Sequence, residues 1–140
     1  MRITVFTDYA FRVLIYLALN PERRVTINNI ADDYGISKNH LMKVVNLLAN
    51  AGLVTASRGP QGGLKLAQQA DKIMVGEIIR LTEDNIQLVE CFRPDNGCAI
   101  TPACELKAIL DESLRAFFGV LDKYSLQNLV IHRSDLQKLL

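Results

Sequence analysis

The stretch Thr26-Ile-Asn-Asn-Ile-Ala-Asp-Asp-Tyr-Gly35-Ile-Ser37-Lys-Asn-His-Leu-Met-Lys-Val-Val-Asn-Leu-Leu-Ala-Asn-Ala51-Gly52 decides the fold. Thr26 is a capping residue, and Ile27 to Tyr34 reads as a short helix closed by Gly35, the residue type that most readily takes a left-handed C-terminal conformation. Only Ile36 separates that glycine from a second cap, Ser37. From Lys38 to Ala51, Leu41, Val44, Val45 and Leu48 recur at helical spacing, while Lys38, Asn39, His40, Lys43 and Asn46 fall on or near the opposite face. Two helices joined by a tight glycine-containing turn, the second opening with cationic and amide side chains, have the form of a helix-turn-helix, a short pattern that any helical hairpin can share.

The residues that follow favour the DNA-binding form. Leu53 to Ser57 and Leu64 to Ala67 are strand-like and flank Arg58-Gly59-Pro60-Gln61-Gly62-Gly63, a hairpin with a basic, glycine-rich tip. Three glycines let backbone approach a phosphate, and Arg58 carries a charge that suits a narrow minor groove. A winged helix is expected. In it Lys38, Asn39, His40 and Lys43 enter the major groove and Ser37 with the helix start holds phosphate, while Arg58 and Gln61 probe the minor groove from a wing shaped by Gly59, Pro60, Gly62 and Gly63.

Upstream, Thr7 caps a helix from Asp8 to about Leu19, with Phe11, Leu14, Ile15 and Ala18 on one side and Asn20-Pro21 stopping it. Downstream, a short helix is expected over Ile73 to Leu81. A long one follows from Pro102 to about Tyr124, with Leu106, Ile109, Leu110, Phe117, Val120 and Leu121 at helical spacing. So long an amphipathic helix beside so small a domain is expected to pair with its copy in a homodimer. Ser125 to Val130 reads as a short capped helix before a loosely ordered end. The fold class is mainly α with a small β-hairpin wing. Residues 1–72 form the winged helix-turn-helix region, 73–101 a short helix and cysteine loop, and 102–140 a dimerisation helix and C-terminal tail.

Between the two helices lies Cys91-Phe-Arg-Pro-Asp-Asn-Gly-Cys98-Ala-Ile-Thr-Pro-Ala-Cys104, which contains all 3 cysteines of the chain. Arg93-Pro94-Asp95-Asn96-Gly97 is turn chemistry that can curl Cys91 back beside Cys98. Thr101-Pro102 reads as a cap and first-turn proline, placing Cys104 near a helix start, where unpaired N–H groups favour a thiolate. Such clustering asks for a metal. Three thiolates are an incomplete set for iron-sulfur or structural zinc sites, so a fourth ligand or an open position is implied. Buried free cysteines are the plainer alternative. Disulfides are disfavoured by the odd count and by the absence of a secretory signal ahead of Met1-Arg2-Ile3-Thr4, which points to a cytoplasmic chain.

The composition, 140 residues with 49% hydrophobic and 22% charged, suits one globular domain or a small domain with an appended element. No apolar run approaches membrane-spanning length. The net charge of +1 hides an asymmetry, since residues 1–70 carry eight basic against four acidic side chains and the remainder eight against eleven. The first half is thereby suited to a polyanion and the second to protein. No nucleotide fingerprint, GxSxG elbow or histidine-rich metal motif points to an enzyme, and His40 and His132 stand alone as surface or DNA-facing imidazoles.

With helix-turn-helix, wing, three-cysteine loop and long helix in this order, the whole chain resembles the iron-sulfur winged-helix regulators typified by IscR and NsrR, most closely the NsrR-like members. The most specific points are Phe6-Thr7-Asp8-Tyr9, the wing followed by Leu64, and Cys98-x-Ile100-Thr101-Pro102-Ala103-Cys104. The resemblance implies a bacterial homodimeric repressor on double-stranded, palindromic operator DNA, with a cluster that reports nitric oxide. IscR-like members complete the cluster with a histidine three residues after the last cysteine, and here that position is Lys107. NsrR-like members use a carboxylate near the start of the first helix of the other subunit, and the matching residue is Asp8. A related pattern with Glu and His ligands in the first helix holds a two-iron cluster, but Arg12 cannot serve as that histidine. The resemblance therefore implies a [4Fe-4S] cluster, in preference to [2Fe-2S], on Cys91, Cys98, Cys104 and Asp8 of the partner subunit. Two readings of other classes stand beside it. One is a zinc-stabilised DNA-binding protein, which lacks a paired C-x-x-C knuckle here. The other is a thiol redox protein, which would have no use for the wing.

Overall fold

The computed structural model describes residues 2–57, 59, 62–84 and 86–140, and Arg58, Pro60 and Gln61 of the expected DNA contacts lie outside them. Helix α1 (Val5–Leu19) begins one turn earlier than the sequence suggests, because Thr4 and not Thr7 is its cap: the Thr4 hydroxyl accepts the Thr7 N–H at 3.3 Å. Two threonines three apart can each cap a helix, and a tertiary contact decides between them. The Thr7 side chain is wholly buried and bonds to the Thr82 hydroxyl at 2.8 Å and to the Glu83 carboxylate.

Helix α2 (Ile27–Tyr34) has a full capping box between Thr26 and Asn29, and Gly35 closes it at φ 64°. Helix α3 (Lys38–Asn50) buries Leu41, Val44, Val45 and Leu48, as its spacing predicts. Strands β1 (Val54–Ala56) and β2 (Leu64–Leu66) pair antiparallel, with Val54 opposite Leu66 and Ala56 opposite Leu64. Val25 adds an isolated antiparallel bridge to Leu64 on the other side of β2. A hairpin this short is marginal by itself, so the chain ahead of α2 serves as its backing.

The core lies around α1, whose Ala10, Val13 and Leu14 meet Ile30, Leu41, Leu48, Val54 and Ile78 in one apolar cluster. The Tyr16 hydroxyl donates to Asp33 at 2.5 Å, tying α1 to α2. Burial, reinforced by that hydrogen bond to a carboxylate, pushes the Tyr16 hydroxyl up to about 12. Helix α4 (Val75–Thr82) then leads out of this head.

Helix α5 (Glu105–Leu121) starts later than the sequence predicts because Cys104 is extended (φ −90°, ψ 106°), and Thr101 to Ala103 make only a single 3-10 turn. Its far end is fixed to α4. Arg80 grips Asp122 with two bonds of 2.7 and 2.8 Å and lies 4.2 Å over the Phe118 ring. The same contact holds the Asp122 carboxyl below the usual carboxylate range. A Cβ on Gly76 would fall 1.9 Å from an Asp122 oxygen, so glycine is what admits this junction.

The short capped helix expected over Ser125 to Val130 is present, and the end beyond it, expected to be loose, is folded. Helix α6 (Leu126–Leu129) has a capping box between Ser125 and Asn128 and places Leu126, fully buried, in the α1 core. Helix α7 (Arg133–Leu139) follows, and Arg133 and Gln137 donate to the Leu19 carbonyl at 2.7 and 2.9 Å. Those bonds satisfy a carbonyl at the end of α1 that the helix leaves without a partner of its own.

Candidate functional site

The face of α3 turned away from the core presents Lys38, Asn39, His40 and Lys43, all exposed, and Ser37 in front of them makes no capping bond with its side chain. A shallow groove of about 320 Å³ runs from this helix start to the wing, lined by Thr26, Asn28, Lys38, Ser57 and Gly59 among others. Polar side chains and a helix start along one groove are what a nucleic-acid backbone requires. Asn28, which the sequence reading passed over, lines the groove, and Arg24 bonds the carbonyl of its lining residue Gly62; the Arg23-Arg24 pair just ahead of a capping threonine was the available signal.

Two of the wing glycines also have a packing role. Gly62 is buried, and a Cβ on Gly63 would lie 2.9 Å from the Val25 carbonyl oxygen. The glycines let the hairpin lie against the chain ahead of α2. Gly59, at φ 98°, occupies the left-handed region that a turn at the tip demands.

Behind α3, the first turns of α1 carry a linked set of side chains. Asp8 pairs with Arg12 at 2.9 Å, and the Arg12 guanidinium stands 5.5 Å from the Tyr34 ring and 6.0 Å from Tyr9. Tyr9 in turn lies 6.3 Å from the ring of His40 on α3. One turn back, Thr4 and Thr7 bond Glu83 at the end of α4. Partial burial alone would raise the Glu83 pKa, but hydrogen bonds from Thr7 and from the Thr4 N–H and hydroxyl outweigh it and hold the carboxyl below its ordinary range.

The cysteine loop hangs between α4 and α5 and is clipped by its own hydrogen bonds. Glu90 accepts the Gly97 N–H at 3.1 Å, which draws the neighbours of Cys91 and Cys98 together, and Thr101 donates to Asn96 at 2.8 Å. Cys104 occupies the cap position of α5. All three cysteines are free thiols, Cys98 exposed and the others half-buried. Among the described residues no group of three or more His, Cys, Asp or Glu side chains is gathered closely enough to hold a metal ion. Soft thiols on one clipped loop nevertheless fit an iron-sulfur cluster chemically, provided that a further ligand comes from elsewhere. Asp8 and the cysteines occupy different parts of the chain, Asp8 at the head and the thiols on the loop. No helix among the described residues is long and apolar enough to cross a membrane.

Residues 3–132 match the family model Rrf2, described as an iron-dependent transcriptional regulator. The chain is 47% identical over 142 residues to the HTH-type transcriptional regulator NsrR of Bacillus subtilis, covering all of this chain and 97% of that relative. Among solved structures, T. potens IscR is similar at a TM-score of 0.77 with 25% identity, over 98% of this chain and 91% of that one. CymR of B. subtilis, titled the global cysteine regulator, is similar at 0.77 with 28% identity, over 94% and 98%.

Proposed function

The chain belongs to the Rrf2 family of transcriptional regulators, and on that premise we propose that it is a homodimeric repressor that holds a [4Fe-4S] cluster and leaves its operator when nitric oxide attacks that cluster. The observation that carries this reading is the continuity from Asp8 through Arg12 and Tyr9 to His40 on the reading helix. A change in what Asp8 binds has a short path to the DNA-facing surface.

Cys91, Cys98 and Cys104 are the thiolates that hold the cluster, Cys104 from the cap position of α5. When bound, the cluster supplies iron with which nitric oxide reacts. Asp8 of the partner subunit is the fourth ligand, a hard oxygen donor that soft iron-sulfur chemistry holds less firmly than thiolate. Within its own chain Asp8 pairs with Arg12, so a carboxylate drawn toward the partner's loop shares or gives up that pair. Arg12 then rebalances between Asp8 and the faces of Tyr9 and Tyr34.

On DNA, Lys38, Asn39, His40 and Lys43 meet major-groove base edges, Ser37 with the α3 start meets phosphate, and Arg58 and Gln61 enter the minor groove from the wing of Gly59, Pro60, Gly62 and Gly63. Two heads joined through the exposed apolar side of α5 must stand roughly one helical turn, about 34 Å, apart on a two-fold operator. A small rotation of either head therefore costs both contacts.

Anaerobically purified protein should show visible charge-transfer absorption with matching iron and sulfide, and nitric oxide should abolish both the spectrum and DNA binding. Asp8→Ala should keep the iron yet alter the spectrum and the nitric oxide response. A colourless native protein, zinc-loaded or metal-free, would sink the cluster reading. The exposed thiol of Cys98 favours one alternative, a bare cysteine switch, and that protein would release DNA under peroxide and ignore nitric oxide.

A further inference from the structure

We infer that Arg24 is a positioning residue for DNA recognition, which braces the wing through the Gly62 carbonyl and does not itself read DNA. The inference rests on the winged-helix reading above and deepens it. Strands β1 and β2 pair at only three positions, Val54 with Leu66, Thr55 with Lys65 and Ala56 with Leu64, too few to fix the direction of the tip alone. Beyond the last pair, Ser57 still holds Gly63, with the Ser57 N–H donating to the Gly63 carbonyl at 3.0 Å. The remaining support comes from the segment ahead of α2. The Leu64 N–H donates to the Val25 carbonyl at 2.7 Å, and one residue earlier Arg24 Nε donates to the Gly62 carbonyl at 2.5 Å.

Gly63 stands between these two bonds, and its missing side chain is what permits them. A Cβ there would come 2.9 Å from the Val25 oxygen and 3.2 Å from Arg24 Cγ. Arg24 forms no ion pair among the described residues, although Glu22 is two positions away, so its side chain is committed to the wing backbone. The bond lies at the inner end of the tip that carries Arg58 and Gln61. The minor groove is only about 6 Å wide, so a wing displaced by an ångström or two would bring its side chains to the groove wall.

A bracing role and a phosphate contact are separable by chemistry. Glutamine Nε2 sits at the same place along the side chain as arginine Nε, so Arg24→Gln keeps a donor for Gly62 and removes the charge. Arg24→Met keeps the length and removes both. The probe is a duplex of about 30 bp, three helical turns, selected from a random pool by anaerobically purified wild-type protein. Bracing predicts that Arg24→Met raises Kd about tenfold while Arg24→Gln stays within about twofold and keeps the wild-type salt slope. It also predicts that Arg58→Ala costs less in the Arg24→Met background than in wild type, because a displaced wing has already lost that contact. Gly63→Ala, which disturbs the same bonds from the other side, should mimic Arg24→Met and guards against a folding defect peculiar to one variant. Equal weakening by Gln and Met, with the salt slope lowered by about one, would overturn the inference in favour of a phosphate contact. If Arg58→Ala weakens binding and Arg24→Met does not, only the inference fails. If wild type selects no duplex, or Arg58→Ala is silent, the winged-helix reading fails with it.

Discussion

From Val5 to Thr82 every helix turns side chains into a shared interior, and Ala10, Leu14, Ile30, Leu41 and Leu48 are fully withdrawn from solvent. From Glu83 to Phe117 no described residue is buried at all. Leu106 and Ile109 instead stand 58% and 57% exposed on α5. The head is complete within one chain, whereas the loop and most of α5 have apolar surface and free thiols without a core of their own. Exposed apolar side chains repeated along one helix mark a surface made for another protein. The buried core and the cysteine loop thus occupy different regions, joined at Glu83 on one side and at Arg80–Asp122 on the other.

The largest effects should fall in the head. Leu41→Ala, which empties part of the fully buried core, should cost about 2–5 kcal/mol in chemical denaturation. A loss comparable to a surface substitution would mean that the head is not the stable unit. Gly76→Ala tests the junction, since the new methyl must displace the Asp122 carboxylate from Arg80. A loss of about 1–2 kcal/mol is expected, with the unfolding transition of α5 separating from that of the head. Thr26→Ala removes a cap inside the head and should cost about 1 kcal/mol while leaving iron content unchanged.

Glu83→Gln tests the other joint through pH. Because the folded carboxyl titrates below its ordinary value, its stabilisation is present at neutral pH and is lost as pH falls through the folded pKa. Wild type should therefore lose more stability than Glu83→Gln on acidification through that range, and parallel curves would show that the Thr4 and Thr7 bonds do not tie α1 to α4. The smallest change in unfolding should come from Ile109→Ser, within about 0.5 kcal/mol for the single chain. The same substitution should shift sedimentation toward monomer, and an unchanged dimer would move the interface away from this side of α5.

What could be read from the sequence was local. Gly35, Thr26 and the spacing of Leu41, Val44, Val45 and Leu48 specify their helices through the chain's own bonds, and the structure keeps each of them. What could not be read depended on contacts distant in sequence. Thr4 and Thr7 are equivalent as caps until Thr82 and Glu83 arrive to engage Thr7. The packing role of Gly63 was not legible because nothing local shows that Val25 lies against it. The α5 start moved because Thr101-Pro102 supports a single 3-10 turn as readily as the first turn of an α-helix. At the candidate site, the α3 side chains were legible from amphipathic spacing. The link from Asp8 through Arg12 to Tyr9 and Tyr34 was only half visible, since i,i+4 spacing suggests the ion pair and only the fold brings in the aromatic rings.

The burial of Leu126 and Val130 in the α1 core has a consequence for how the molecule is made. Domains fold as units while the ribosome extends the chain, and this head lacks part of its interior until Leu126 and Val130 have emerged. By then α5 has been synthesised in full. A nascent chain therefore fills the α1 core only after α5 has left the ribosome, and a product truncated ahead of Leu126 keeps an incomplete head.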